Sequence, residues 1–293
     1  MDISKTSFAQ TPLFEGDAAL LDELVRSHPE LSGPAQSLYE DGFAIVDFGF
    51  DEALIETVRK FTFDNMKEKE RIQDGWLVNA SVKALATHPA VLSFLEALYG
   101  RAAIPFQTLN FKFGTQQRTH ADTYHFNSAP ARFMCGIWIA LEDIMPGSGP
   151  VHYYAGSHKL PVYRKHELPG AQDYAVYEDF VAAKMEERGF ERSKAMLKAG
   201  EALIWSANLF HGGNRRTKAD VTRCSQVTHY FFEDCAFYTP LASDAQAENY
   251  FIREPYDIAR SRFTKSNSEH LPGRPSLRHR LFRRYQIMMK RLP

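Results

Sequence analysis

Cysteine is scarce in this sequence. Cys135, Cys224 and Cys235 are the three in 293 residues, and no CxxC spacing occurs among them. An odd, scattered set excludes a disulfide miniprotein and suits free thiols in a reducing compartment, so a cytoplasmic location is expected. No run of about 18 apolar residues is present, so no spanning helix is expected. Met1-Asp2-Ile3-Ser4-Lys5 does not open a basic segment followed by an apolar one, which reads against a secretory signal. Charge of one sign is not in excess either. The 35 Lys and Arg against 36 Asp and Glu leave a net charge of −1, too little to hold nucleic acid by bulk charge. Internal repeats and low-complexity segments are missing. Hydrophobic residues at 44% and charged residues at 24% sit near the globular average, which excludes wholesale disorder and collagen.

The first hundred residues read as helical. Asp17 to Arg26 carries Leu20, Leu21, Leu24 and Val25 at helical spacing, and Ser37 to Asp41 reads as a short helix closed by Gly42. Phe43 to Phe48 is a strand candidate. Asp51 caps a helix through Lys67, and Ser81 to Tyr99 gives one or two more. From residue 101 the character changes. The runs 104–113, 131–141, 202–206 and 222–232 are rich in β-branched and aromatic residues, separated by Pro, Gly and Ser. Tyr174 to Gly189 interrupts them with one helix. Helices followed by many short strands suggest an α+β protein with a mainly β core, a sandwich or barrel with flanking helices. Pro240 to Pro275 reads as loop or tail. Ser276 to Leu292 reads as a basic amphipathic helix with Leu277, Leu281, Phe282, Tyr285, Met288, Met289 and Leu292 on one face. The expected division is a single domain over 1–240, with a helical front 1–100 and a β core 101–240, followed by an extension over 241–293.

Three features carry chemistry. His120-Ala121-Asp122 would place an imidazole and a carboxylate on one face of a strand. Such a tripeptide arises by chance about half the time in a chain of this composition, so alone it reads equally as a surface pair. His211 follows the apolar strand Ala202 to Trp205 and precedes Gly212-Gly213, where backbone can approach a ligand closely. Arg223 and Ser225 would share a strand face, and a guanidinium beside a hydroxyl is a receptor for a carboxylate. Taken together, two His and one carboxylate make the facial triad of non-haem Fe(II) oxygenases. The Arg/Ser pair adds an anchor for the far carboxylate of a 2-oxoacid.

From Gln117 to Phe232 the chain resembles the phytanoyl-CoA dioxygenase family of Fe(II)/2-oxoglutarate oxygenases. The resemblance is carried by Thr119-His120-Ala121-Asp122, Trp138-Ile139-Ala140-Leu141-Glu142-Asp143, Gly149-Pro150, Ala155-Gly156-Ser157-His158-Lys159 and Phe210-His211-Gly212-Gly213, with Asn214 and Arg223 beyond. Leu38 to Phe48 resembles the family's opening segment. The resemblance implies a double-stranded β-helix, a jelly-roll or cupin-like fold with flanking N-terminal helices and a C-terminal helix. It implies Fe(II) on His120, Asp122 and His211, 2-oxoglutarate as cosubstrate, and O2. Arg223 would meet the 2-oxoglutarate C5 carboxylate, with Ser225 as a second contact and Trp138 as an aromatic wall. Related halogenases carry Ala or Gly in place of the carboxylate, so Asp122 implies hydroxylation or another oxidation.

The expected activity is hydroxylation of an unactivated C–H of a small or carrier-bound metabolite, with release of succinate and CO2. The alternative is a cupin-like metal-binding protein without oxygenase turnover. Tyr124 shares the triad's strand parity and reads equally as pocket wall or core. His125 falls on the opposite parity, and Asn127 and Gln117 read as loop hydrogen-bonders, although Tyr124, His125 and Asn127 are the nearest candidates for substrate contact. His229 shares parity with Arg223 but reads first as a core histidine. Loop residues Arg164, Lys165 and His166 offer charge for an anionic group. The basic C-terminal helix reads either as packing on the body or a second subunit, or as a peripheral membrane contact.

Overall fold

The computed structural model describes residues 11–16, 18–66, 71–163, 174–244 and 248–271, with positions 281, 284, 285 and 288 further on. The expected loop charges at 164–166 and most of the helix expected over 276–292 lie outside these residues. Leu281, Tyr285 and Met288 are helical and more than half exposed.

The front of the chain forms α1 (Ala18–Ser27), α2 (Ser32–Asp41), α3 (Glu52–Asn65), α4 (Ala80–Ala86) and α5 (Pro89–Tyr99). Their limits follow from local chemistry. The Asp51 carboxylate accepts from the Ala53 N–H and caps α3. Asn79 does the same for α4 through Ser81 and Val82. Pro89 stands at the start of α5, which divides the expected 81–99 helix in two. Helix α2 begins five residues earlier than expected, because Pro34 lies in its first turn, where no N–H is missed. Gly42 closes it at φ +82, and a Cβ there would lie 2.4 Å from the His158 ring, so the position is restricted twice over.

The β core has two sheets. The strands of the large one are β1 (Phe43–Asp47), β2 (Ile72–Gln73), β3 (Ala103–Phe111), β5 (Met134–Ala140), β8 (Glu201–Ser206) and β10 (Ser225–Phe232), in spatial order β1-β8-β5-β10-β3-β2, antiparallel throughout. A small sheet joins β6 (Val151–Tyr154) to β7 (Arg192–Lys194) and β9 (His211–Gly213). Strands β4 (Asn127–Ala129) and β11 (Ala236–Tyr238) pair separately. Helix α6 (Tyr174–Glu187) is inserted between β6 and β7. The result is the jelly-roll-like double-stranded β-helix that the resemblance implies.

Both faces of the large sheet are covered, so its strands are apolar on both sides. Alternation then sorts the residues. Leu109, Phe111, Trp138, Leu203, Trp205 and Val227 face the small sheet and meet Val151 and Tyr153. Ile137, Ile139, Ile204, Tyr230 and Phe232 face the helices and pack with Leu38, Val58, Leu95 and Tyr99. The cysteines are all buried and free. Burial pushes the Cys224 and Cys235 thiols up to about 12, which suits inert core residues. Among the described residues no helix is long and apolar enough to cross a membrane.

The segment expected as loop or tail after residue 240 packs on the body. Strands β12 (Tyr256–Asp257) and β13 (Arg262–Phe263) form a small pair. Tyr256 stacks on Trp76 with ring centres 5.2 Å apart, and the Ile258 N–H donates to the Pro105 carbonyl at 2.9 Å. Cohesion here comes from single buried residues and isolated backbone bonds, which leave no period to read in the sequence. Ile258 is fully buried. Ile258→Ala should therefore lower unfolding free energy by about 2–5 kcal/mol in chemical denaturation; a variant as stable as the parent would show that this segment does not support the fold.

Candidate metal centre

Three ligand-type side chains converge between the sheets. His120 N–H and C=O exchange hydrogen bonds of 2.9 Å with C=O and N–H of His211, so two imidazoles 91 positions apart start from one backbone bridge. Ala121 is extended, which returns Asp122 to the side of His120. The ligand-type atoms of His120, Asp122 and His211 all lie within 4.8 Å of one another. Asp122 Oδ1 is 3.8 Å from His120 Nε2 and 4.0 Å from His211 Nε2.

Each ligand is held from behind. His120 Nδ1 is 2.9 Å from the Arg118 carbonyl and His211 Nδ1 is 3.0 Å from the Leu209 carbonyl. A carbonyl can only accept, so both Nδ1 atoms carry the proton and both Nε2 lone pairs face the centre. Gln117 Nε2 donates to that lone pair on His120 at 3.2 Å. The Trp205 indole N–H donates to Asp122 Oδ2 at 2.7 Å, which leaves Oδ1 directed at the imidazoles. Trp205 reaches this point because its cross-strand partner is Gly136, where a Cβ would lie 2.4 Å from the indole. Desolvation, then the charge of His211, lowers the His120 pKa to about 3. Burial alone would raise that of Asp122, but His211, His229 and His120 together with the Trp205 N–H bring it down to about 2. At neutral pH Asp122 is a carboxylate and His120 a neutral imidazole, the states that bind a metal.

The cavity at this point has a volume of about 340 Å³. Arg223 lines one end. It lies outside the strand expected to hold it, since β10 begins only at Ser225, and its N–H donates to the Lys112 carbonyl instead. Its side chain is 2% exposed, 5.5 Å from the Trp138 ring and 5.9 Å from the Phe111 ring. Nη1 donates to the Gly149 carbonyl at 3.2 Å, while Nε is buried with no partner. Burial lowers its pKa to about 10, so it remains a cation, and an unmatched one. Trp138 also lines the cavity, its indole N–H buried without a partner. Ser225 is fully buried but does not line the cavity, and its hydroxyl is 3.5 Å from the Arg223 carbonyl.

The parity expectation beyond Asp122 reverses. A single 3₁₀ turn over Asp122–Tyr124 replaces the strand, and in that turn positions i and i+3 eclipse, so His125 follows Asp122 into the cavity. Tyr124 turns instead towards α6, stacking on Tyr177 with ring centres 3.9 Å apart. The Tyr177 hydroxyl accepts from the Ala121 N–H between the two motif residues. Asn127 ties β4 to β11 through the Tyr238 hydroxyl and does not line the cavity. His229, read first as a core residue, lines the cavity with Nε2 3.6 Å from Asp122 Oδ2. Its parity with Val227 was the available signal. Trp205, Arg71 and Arg253 escaped the sequence reading altogether.

Two imidazoles and one carboxylate in a buried cavity of a double-stranded β-helix define a class, the non-haem Fe(II)/2-oxoglutarate oxygenases. Residues 38–223 match the sequence model of the phytanoyl-CoA dioxygenase (PhyH) family, and the chain belongs to that family. A probable phytanoyl-CoA dioxygenase of Caenorhabditis elegans is 27% identical over 168 residues, 53% of this chain and 48% of that protein, so the match spans about half of that relative. Among solved structures, the epimerase SnoN in complex with Fe3+, alpha ketoglutarate and nogalamycin RO superposes with a TM-score of 0.57 at 20% identity, over 80% of this chain and 91% of that one. EctD from S. alaskensis with 2-oxoglutarate and 5-hydroxyectoine gives 0.56 at 16% identity, over 82% and 86%. These structures share the fold.

Trp205→Phe keeps an aromatic side chain and removes the N–H from Asp122. It should weaken Fe(II) binding roughly 10- to 100-fold in anaerobic titration, with an unchanged circular dichroism spectrum. Full affinity in that variant would show that the indole does not orient the carboxylate.

Proposed function

We propose that this chain hydroxylates a C–H bond of a small or carrier-bound metabolite, holding Fe(II) on His120, Asp122 and His211 and the cosubstrate on Arg223. One observation carries the reading. A buried guanidinium with an unpartnered Nε shares a single cavity with a converging two-imidazole, one-carboxylate set. The donor set fits a divalent first-row metal, with both Nε2 lone pairs and Oδ1 turned inward. The orphaned guanidinium fits the C5 carboxylate of 2-oxoglutarate, because a buried cation without an anion is costly.

When bound, Fe(II) and 2-oxoglutarate supply the oxidising chemistry: one atom of O2 enters the substrate C–H bond, the other enters succinate, and CO2 leaves. The protein's own residues do the rest. The two backbone carbonyls fix the imidazole tautomers, Trp205 fixes the carboxylate, and Arg223 sets the cosubstrate's far end. Leu109, Phe111, Val151 and Val227 give that end apolar walls that exclude water. The similar structures include an epimerase and a protein holding 5-hydroxyectoine, so the fold alone does not choose the outcome. Hydroxylation is the outcome that needs no further group, and Asp122 occupies the position that halide takes in the halogenases. A metal holder without turnover has no use for Arg223, which favours the oxygenase reading over the cupin-like alternative.

Two variants test this. Asp122→Ala should abolish substrate-coupled succinate formation, and full turnover by it would overturn the metal assignment. Arg223→Ala should raise the 2-oxoglutarate concentration for half-saturation by roughly 30-fold or more, the cost of truncating a buried charge pair. An unchanged saturation curve would remove Arg223 from the role.

A further inference from the structure

The two ligand imidazoles share a backbone bridge, and a buried side chain outside the cavity reaches across it. His152 stands on β6, where its cross-strand partner is Gly212, the residue after His211. It is 1% exposed and does not line the cavity. Its ring takes the space of a side chain at 212, since a Cβ there would lie 2.7 Å from His152 Cε1 and 2.9 Å from Nε2. Having passed over β9, Nε2 comes within 3.0 Å of Thr119 Oγ1, on the residue before His120. On the other side of the ring, Nη2 of Arg192 in β7 is 2.8 Å from His152 Nδ1. A guanidinium can only donate, so Nδ1 accepts, the proton sits on Nε2, and Nε2–H donates to the Thr119 hydroxyl oxygen. The sequence marked Gly212 as a place where backbone approaches a ligand. The group it admits is a side chain of the protein itself.

These contacts close a triangle. Strand β6 pairs with β9, β9 is bridged to the segment carrying His120, and His152 ties that segment back to β6. The bridge has three backbone bonds: the reciprocal pair between His120 and His211, and the Gly213 N–H to the Gln117 carbonyl at 2.9 Å. All three run between the same two segments, so they resist separation better than rotation. A small rotation of either segment would move an imidazole Nε2, at the end of its side chain, further than the backbone. His152 acts from a third strand and opposes that rotation. We infer that His152 is a positioning residue for the metal centre: by tying Thr119 to β6 across Gly212, it fixes the spacing of the His120 and His211 imidazoles, and with it metal affinity and coordination geometry. This rests on the metal assignment of the proposed function, and adds to it a residue that does not touch the metal. Arg192 stands on β7, which follows the inserted helix α6, so the return of that insertion supplies the donor that sets the His152 tautomer.

The experiment titrates the full chain with Co(II), whose visible d–d bands report ligand geometry in the position proposed for Fe(II). His152→Leu removes both side-chain bonds and keeps apolar bulk. It should weaken Co(II) binding roughly 10- to 100-fold and shift the d–d bands, with an unchanged circular dichroism spectrum. His152→Gln returns an amide N–H near the former Nε2, and should recover most of the affinity and the parent band positions. Thr119→Val removes the hydroxyl at nearly constant shape. It should weaken binding about three- to tenfold, the value of one neutral hydrogen bond, and add no further loss to His152→Leu. Parent affinity and bands in His152→Leu, a glutamine variant no better than the leucine one, or additive losses in the double variant would each overturn the inference. If His152→Leu does not fold, Thr119→Val decides, and parent affinity and bands in that variant overturn it. A parent chain that gives no Co(II) spectrum would defeat the metal assignment and this inference with it. A parent spectrum that these substitutions leave unmoved would defeat the inference alone.

Discussion

The centre depends on keeping one carboxylate ionised and aimed inside a cavity that excludes water. Burial opposes the charge on Asp122, and the surrounding imidazoles with one indole N–H more than offset it. That single requirement reaches far into the fold. The indole spans the sheet only because position 136 has no side chain, and Gly136 faces Trp205 only because β5 and β8 pair in one register. A slip of one residue between these strands would turn Trp205 towards the helices and leave Oδ2 unheld. Strand register, a missing Cβ and the ligand geometry are therefore one constraint seen at three scales.

Where local pattern and final environment agreed, the sequence was readable. Runs rich in β-branched and aromatic residues marked β3, β5, β8 and β10, because a sheet covered on both faces must be apolar on both. Capping chemistry at Asp51 marked a helix start. His120, Asp122 and His211 stood out by residue type, and the structure brings them together. The strand argument for the pair was sound only as far as Asp122. The 3₁₀ turn that follows has no signature distinct from a strand end, so the sides assigned to Tyr124 and His125 were exchanged. Arg223 drew attention as a cation within an apolar run. Arg253 did not, because its position depends on a segment whose burial rests on scattered residues such as Ile252, Tyr256 and Ile258.

The inner core and the reaction chamber are continuous. Trp138, Leu203, Trp205 and Val227 belong to the apolar layer between the sheets, and three of them also line the cavity. The residues that give the sandwich its packing thus also set the dielectric around the ligands and around Arg223. Helix α6 closes the opposite side: the Tyr177 hydroxyl takes the N–H of Ala121, and the Tyr124–Tyr177 stack fills the space behind the motif. An insertion between strands has become part of the wall that supports the carboxylate.

The reciprocal backbone bonds between His120 and His211 have a consequence for how such a centre can diversify. Both imidazoles inherit their separation from neighbouring chain segments rather than from the ninety residues of connection between them. Loops and whole helices within that connection can be lengthened, shortened or exchanged while the two nitrogens keep their spacing. The scaffold is modular in this sense: chemistry is anchored at a single rung, and the surrounding connections are free to be rebuilt for new molecules.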